Sequence, residues 1–286
     1  MKIQKQLLKE MLRFGLPTIP ATLSIMIMQV ANIPILKEMT NSQTVAIYAV
    51  NNRLSIPMML FISVFIYAWK PFYMGRYEDS DAKNLFARVL TYFSFSAAII
   101  FLTVGFFIKF IVTLPFIGGT FIDSSYWSGL GIVPIVMTSY YLSGVFNNLA
   151  AGFYIVKKTD YLPLAIGTAA ILNIVLNIVL IPYLGIWGSA LATLISYFLA
   201  VVIIYIFLQK VYPIKYEWKR LVILIVLTGS FYLTGTYFTN DMTIAGSFIV
   251  RLLFIAGYLV SLFVTKFFNK AEIISFLAIF KRKKIV

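Results

Sequence analysis

The sequence predicts an all-α integral membrane protein of about eight transmembrane helices, and three observations carry that expectation. The 286 residues are 61% hydrophobic and 12% charged, with a mean hydropathy of +0.91, well beyond an ordinary globular domain. Between Tyr161 and Gln209 there is no Asp, Glu, Lys or Arg, although Asp160 and Lys210 flank the stretch at once. Of the 24 Lys and Arg residues, 20 fall in short clusters between apolar runs.

The uncharged stretch is the clearest element. A bilayer core about 30 Å thick takes roughly 20 helical residues, so 161–209 is too long for one crossing and fits two. The joint is expected at Ile181-Pro182-Tyr183-Leu184-Gly185, where proline ends the first helix and Gly185 tolerates the angles of a short turn. Apolar windows of the same length place the eight spans at 14–36, 45–69, 85–114, 130–156, 162–181, 186–208, 221–238 and 244–267. The third is overlong and is expected to tilt or bend. All read as helices, because a spanning segment satisfies its own backbone and these runs lack the strict alternation of barrel strands.

Orientation follows from the connections. Basic residues collect before the first span, after the second (Lys70, Arg76, Lys83, Arg88), after the fourth (Lys157, Lys158), after the sixth (Lys210, Lys215, Lys219, Arg220) and after the eighth. With alternating helices every cluster falls on one side, so both termini are expected in the cytoplasm. Residues 1–13, basic and mildly amphipathic, read as an interfacial lead-in or linker. Residues 14–209 hold six helices, 210–267 two more, and 268–286 a basic cytoplasmic tail.

The chain has no cysteine and no histidine. Disulfides, Cys/His zinc sites, haem ligation and the usual general base therefore drop out; no cofactor and no enzymatic chemistry are expected. The formal net charge of +14 does not indicate nucleic acid, since the basic residues form no continuous face; membrane lipids are the expected partner. All ten acidic residues lie in loops or at span ends, which argues against a buried carboxylate for proton or sodium coupling. Asp123 is the one acidic candidate left for chemistry.

Arg53 is the most informative polar residue, lying inside the second span four residues before Pro57. An Arg near mid-bilayer costs at least about 2.5 kcal/mol and has to face protein or water. It reads either as a cation in a substrate cavity or as a side chain that snorkels or pairs structurally. Tyr48, Asn52, Ser55, Met59 and Ser63 fall close to one helical stripe beside it. Thr18, Thr22, Gln29 and Asn32 share one side of the first span, which Pro17, Pro20 and Pro34 interrupt; broken helices often line pathways. Thr138, Tyr141, Asn148 and Gly152 do the same in the fourth span. Asn173 and Asn177 read as interhelical hydrogen-bonding groups, and Gly185, Gly188, Ser189, Ala192 and Ser196 as a close-packing seam. The candidate cavity residues are thus Arg53, Asn52, Gln29, Asn32 and Asn148, with Arg251 in the outer part of the eighth span a weaker one.

Three stretches carry a resemblance. Arg13-Phe14-Gly15-Leu16-Pro17-Thr18-Ile19-Pro20, the run from Val45-Ala46-Ile47-Tyr48 through Arg53 to Trp69-Lys70-Pro71-Phe72, and the hairpin from Asn173 through Ile181-Pro182-Tyr183-Leu184-Gly185 to Thr193 resemble the C-terminal half of a polysaccharide-repeat flippase. That family belongs to the multidrug/oligosaccharidyl-lipid/polysaccharide exporter (MATE-like) superfamily. The resemblance covers nearly the whole chain and implies helices seven to fourteen of a fourteen-helix architecture: a six-helix lobe plus two additional C-terminal helices. It further implies translocation of an undecaprenyl-pyrophosphate-linked oligosaccharide across the bacterial cytoplasmic membrane by alternating access, with Arg53 in the cationic cavity lining. The N-terminal lobe that completes the cleft in the family is missing, so the chain reads as a fragment, a truncated frame or half of a split transporter that needs that lobe as partner. A small-molecule exporter of the same superfamily and a non-transporting membrane partner protein are the alternative readings.

Overall fold

The computed structural model describes residues 5–116, 119–269 and Glu272; Met1–Gln4 of the expected lead-in and nearly all of the expected tail 268–286 lie outside the described residues. Eleven α-helices are present among them: α1 (Lys5–Gly15), α2 (Thr18–Val30), α3 (Asn32–Met39), α4 (Ser42–Arg53), α5 (Ile56–Arg76), α6 (Ala82–Val112), α7 (Val133–Ile155), α8 (Tyr161–Leu184), α9 (Ile186–Val211), α10 (Trp218–Thr239) and α11 (Ile244–Val264). A two-stranded ribbon, β1 (Pro115–Phe116) with β2 (Gly119–Thr120), and a 3₁₀ segment (Ser124–Ile132) connect α6 to α7.

Eight stretches are long and apolar enough to cross a membrane, and the chain is a multi-pass membrane protein. Its surface agrees: Val64, Ile171, Leu233, Leu253 and Val264 stand exposed on their helices, where a water-facing protein would place charge. The aromatic residues Tyr183, Trp187, Trp218 and Tyr237 are also exposed, at helix ends, the places an interfacial belt takes them.

Prolines set the breaks. Pro17, Pro34 and Pro57 lack the N–H that would reach the carbonyls of Arg13, Val30 and Arg53, and their rings crowd those carbonyls. The helix accordingly stops between α1 and α2, is interrupted at Ala31 between α2 and α3, and is interrupted at Leu54–Ser55 between α4 and α5. Residues 18–39 and 42–76 are thus two broken rods, where the sequence suggested interruption in the first alone.

Pro182 behaves differently from the expectation that it would end its helix. It sits inside the last turn of α8, which runs on to Leu184; a single missing bond near a helix end is tolerated where the chain is about to turn anyway. The turn is Gly185 alone, at φ 54 and ψ −127, a conformation side chains other than hydrogen avoid. Beyond it, Ser189, Ala192 and Ser196 are buried. A Cβ on Gly188 would lie 2.6 Å from the Leu180 carbonyl carbon and oxygen, so α9 touches the α8 backbone itself.

The chain divides into two compact units. The first comprises residues 1–93 and 108–216. Its centre is the α8–α9 hairpin, against which α7 and α2 pack, while α5 packs on α7 and α4 on the 3₁₀ segment. The second comprises residues 94–107 and 217–286 and gathers the middle of α6 with α10 and α11 around Leu102, Phe106, Leu224, Tyr258 and Leu262. Aromatic edges interlock there, with Phe101 on Tyr232 at 5.2 Å and Phe231 on Tyr258 at 5.8 Å.

Two helix ends carry lysine where geometry favours glycine. Lys157 after α7 and Lys266 after α11 have φ 56 and 55, and the next residues close the ends through Lys158 N–H to Phe153 O and Phe267 N–H to Leu262 O, both 2.9 Å. A Cβ in this left-handed conformation costs about 1–2 kcal/mol. Lys157→Gly is therefore expected to raise thermal stability in detergent by about 1 kcal/mol; a lower melting temperature would show that the lysine side chain contributes more than its backbone costs.

Candidate functional site

The first unit contains a small, open recess at the α2–α3 break. Met28 and Gln29 on α2 and Asn32 and Ile33 on α3 form one wall. Tyr48 and Asn52 on α4, Ser139 and Tyr140 on α7, and Thr193 and Tyr197 on α9 complete it. Eight of the lining side chains end in a hydroxyl or an amide and none carries a charge. Such a lining donates and accepts hydrogen bonds in comparable number. It suits a neutral polyhydroxylated group.

Asn32 is the hub of the floor. Its Nδ2 donates to Tyr48 Oη at 2.9 Å and to Thr193 Oγ1 at 2.7 Å, and its Oδ1 accepts from Asn177 Nδ2 at 3.0 Å. Asn177 also donates to the Asn173 carbonyl within α8 at 2.8 Å, and Asn173 Nδ2 donates to Thr193 Oγ1 at 3.4 Å; of the pair read as interhelical bonding groups, Asn177 thus bonds across to α3 and Asn173 to α9. One side chain thereby ties α3, α4, α8 and α9 together just past a proline break. Asn32 is 5% exposed; it shapes the recess more than it presents itself to it. Gln29 is exposed and Asn52 half-buried, with Asn52 in polar contact with Tyr140.

Of the residues named from the sequence, Gln29, Asn32 and Asn52 therefore meet at one recess. Arg53 does not line it. Its side chain is exposed at the last residue of α4, next along the helix from Asn52, and makes no hydrogen bond or ion pair among the described residues. Asn51 is instead the buried member of that polar run, donating to the Ile47 and Tyr126 carbonyls, both at 2.8 Å. Asn148 is 3% exposed, on α7, with neither amide atom in a hydrogen bond among the described residues; it lies outside the recess lining. Arg251 belongs to the second unit, where Nη1 donates to the Phe106 carbonyl at 2.7 Å and Nε to Thr239 Oγ1 at 3.2 Å. Its guanidinium joins α6, α10 and α11.

Asp123 is occupied as a cap. Its carboxylate accepts from the Ser125 N–H at 2.9 Å, and the Ser125 side chain and backbone together hold its pKa below the ordinary carboxylate value. No group of three or more Asp or Glu residues placed to hold a metal occurs among the described residues. The lining residues Ser139, Tyr140, Thr193 and Tyr197 were not singled out from the sequence for the recess, because which side of α7 and α9 faces it is set only by packing. The chain matches no protein-family model, no curated protein and no solved structure.

Proposed function

We propose that this chain is one lobe of a transporter that carries a lipid-linked oligosaccharide across the bacterial cytoplasmic membrane by alternating access, with both termini in the cytoplasm and no covalent chemistry of its own. The observation that carries the reading is the uncharged recess of amides and hydroxyls drawn from α2, α3, α4, α7 and α9 beside an uncommitted guanidinium. In an apolar environment polar side chains collect where a polar solute or water passes. The recess takes sugar hydroxyls. Arg53, next in the chain to Asn52 of the lining and without a hydrogen-bond or ion-pair partner among the described residues, takes the pyrophosphate that joins glycan to lipid, a pairing suited to the guanidinium fork. The resemblance to polysaccharide-repeat flippases points the same way, and it supplies the expected partner: the N-terminal lobe that forms the other wall.

Cells lacking the gene are expected to accumulate the lipid-linked repeat unit on the cytoplasmic side, and the wild-type gene to clear it. Hydrogen bonds to charged groups contribute about 1.5–3 kcal/mol, so Arg53→Ala is expected to restore about a tenth of the flux or less. Full restoration by Arg53→Ala would remove the role given to Arg53. No accumulation in the deleted strain would remove the transport reading itself.

A further inference from the structure

We propose that α1 lies in the plane of the membrane surface and binds the anionic headgroups of one leaflet. The crossing does not need it. Residues 18–39 of α2 and α3 measure about 33 Å at about 1.5 Å per residue, already the thickness of a bilayer core of about 30 Å. The apolar window that opens at Leu8 is therefore longer than the membrane requires. Pro17 interrupts the hydrogen bonding of the rod just beyond α1, and the Thr18 hydroxyl donates to the Gly15 carbonyl at 2.6 Å at the junction.

The faces of α1 are sharply divided. Lys5, Lys9 and Arg13 follow one another at four-residue spacing along one edge, with Gln6 and Glu10 beside them. Leu8, Met11 and Leu12 occupy the opposite arc and are 44%, 63% and 47% exposed. Among the described residues, nothing in the first unit covers these three side chains, and only Phe14 at the end of α1 is packed, meeting Tyr154 edge-on at 6.2 Å. A helix with cations on one side and bare leucine and methionine on the other matches the boundary between headgroups and acyl chains.

A second observation fixes its level. The Phe14 carbonyl accepts from the Thr159 hydroxyl at 2.7 Å, and Thr159 is buried in the α7–α8 connection next to exposed Lys157 and Lys158. The end of α1 is thus pinned to a helix connection that carries its own two cations. Arg13, Lys157 and Lys158 make one basic rim at the height where the hydrophobic crossing begins, and the matching partner is an anionic lipid surface.

The absence of native cysteine makes a direct test possible with the full chain. Spin labels are attached at Met11→Cys or Gln6→Cys, and the protein is placed in nanodiscs of phosphatidylcholine alone or of equal parts phosphatidylcholine and phosphatidylglycerol. In the anionic discs the Met11 label is expected to collide with oxygen in preference to a water-soluble nickel complex, and the Gln6 label to show the reverse preference. Exchanging Lys5, Lys9 and Arg13 for glutamine is expected to lower the ratio of surface-bound to free helix about fivefold per cation. The Met11 label then moves toward its value in the uncharged discs. A Met11 label reached better by nickel than by oxygen in anionic discs, a label reached by neither because protein covers it, or a triple variant indistinguishable from the parent would each overturn the proposal.

Discussion

Gly188→Leu is expected to prevent the first unit from reaching its native packing. The contact a side chain would make there is with the Leu180 carbonyl group and the Ile181 nitrogen, at 2.6 and 2.9 Å, and backbone of a hydrogen-bonded helix has no rotamer to escape into. The α8–α9 hairpin would have to open along its length, and α7 and α2 pack against that hairpin. In a bilayer, where lipid is as apolar as leucine and association rests on close approach, the loss is expected to be about 3 kcal/mol or more. Gly229→Leu is the matched control, since a Cβ at that α10 position meets nothing within 4 Å. The measurement is the folded fraction in detergent by size exclusion and thermal unfolding. Equal behaviour of the two variants would show that the hairpin does not depend on backbone contact at Gly188.

Asn32→Leu is expected to have the second largest effect, and a different one. The substitution removes hydrogen bonds to Tyr48, Thr193 and Asn177 at 2.9, 2.7 and 3.0 Å. Interhelical bonds in membranes average about 0.6 kcal/mol with a maximum near about 1.7. With the groups left unpaired, a loss of about 2–4 kcal/mol is expected. Asn177→Leu cuts the same network, so the double substitution is expected to cost less than the two singles added, by about 0.5–3 kcal/mol. Strict additivity would mean that the two amides do not act as a unit. Because Asn32 sits where α3, α4, α8 and α9 meet, the variant is also expected to lose transport beyond its loss of folded protein.

The long apolar runs were legible without any structure, because a bilayer imposes a length and a composition that a single sequence displays directly. The proline-interrupted first span was legible for the same local reason, and Gln29 and Asn32 with it. What stayed hidden depends on contacts far apart in the chain. Nothing local announces that Asn177 bonds Asn32, 145 positions away, or that Thr193 and Tyr197 turn their polar ends to the same recess. Arg251 could not be assigned from its neighbours either, because its acceptor is a main-chain carbonyl at Phe106, and any residue offers one. Pro182 illustrates the converse error, a strong local rule relaxed by position: in the final turn of α8 the carbonyl it deprives is one of few, and the helix continues past it.

The neutrality of the recess has an electrical consequence for the proposed transport cycle. A cavity without fixed charge can turn from one side of the membrane to the other without the transmembrane voltage doing any work on it. A moving elementary charge would gain or lose about 2.3 kcal/mol per 100 mV. In this lobe that work falls on Arg53 and on the anion it escorts, and because a pyrophosphate bridge carries two negative charges, one guanidinium cancels half of them and the other half still moves against the field.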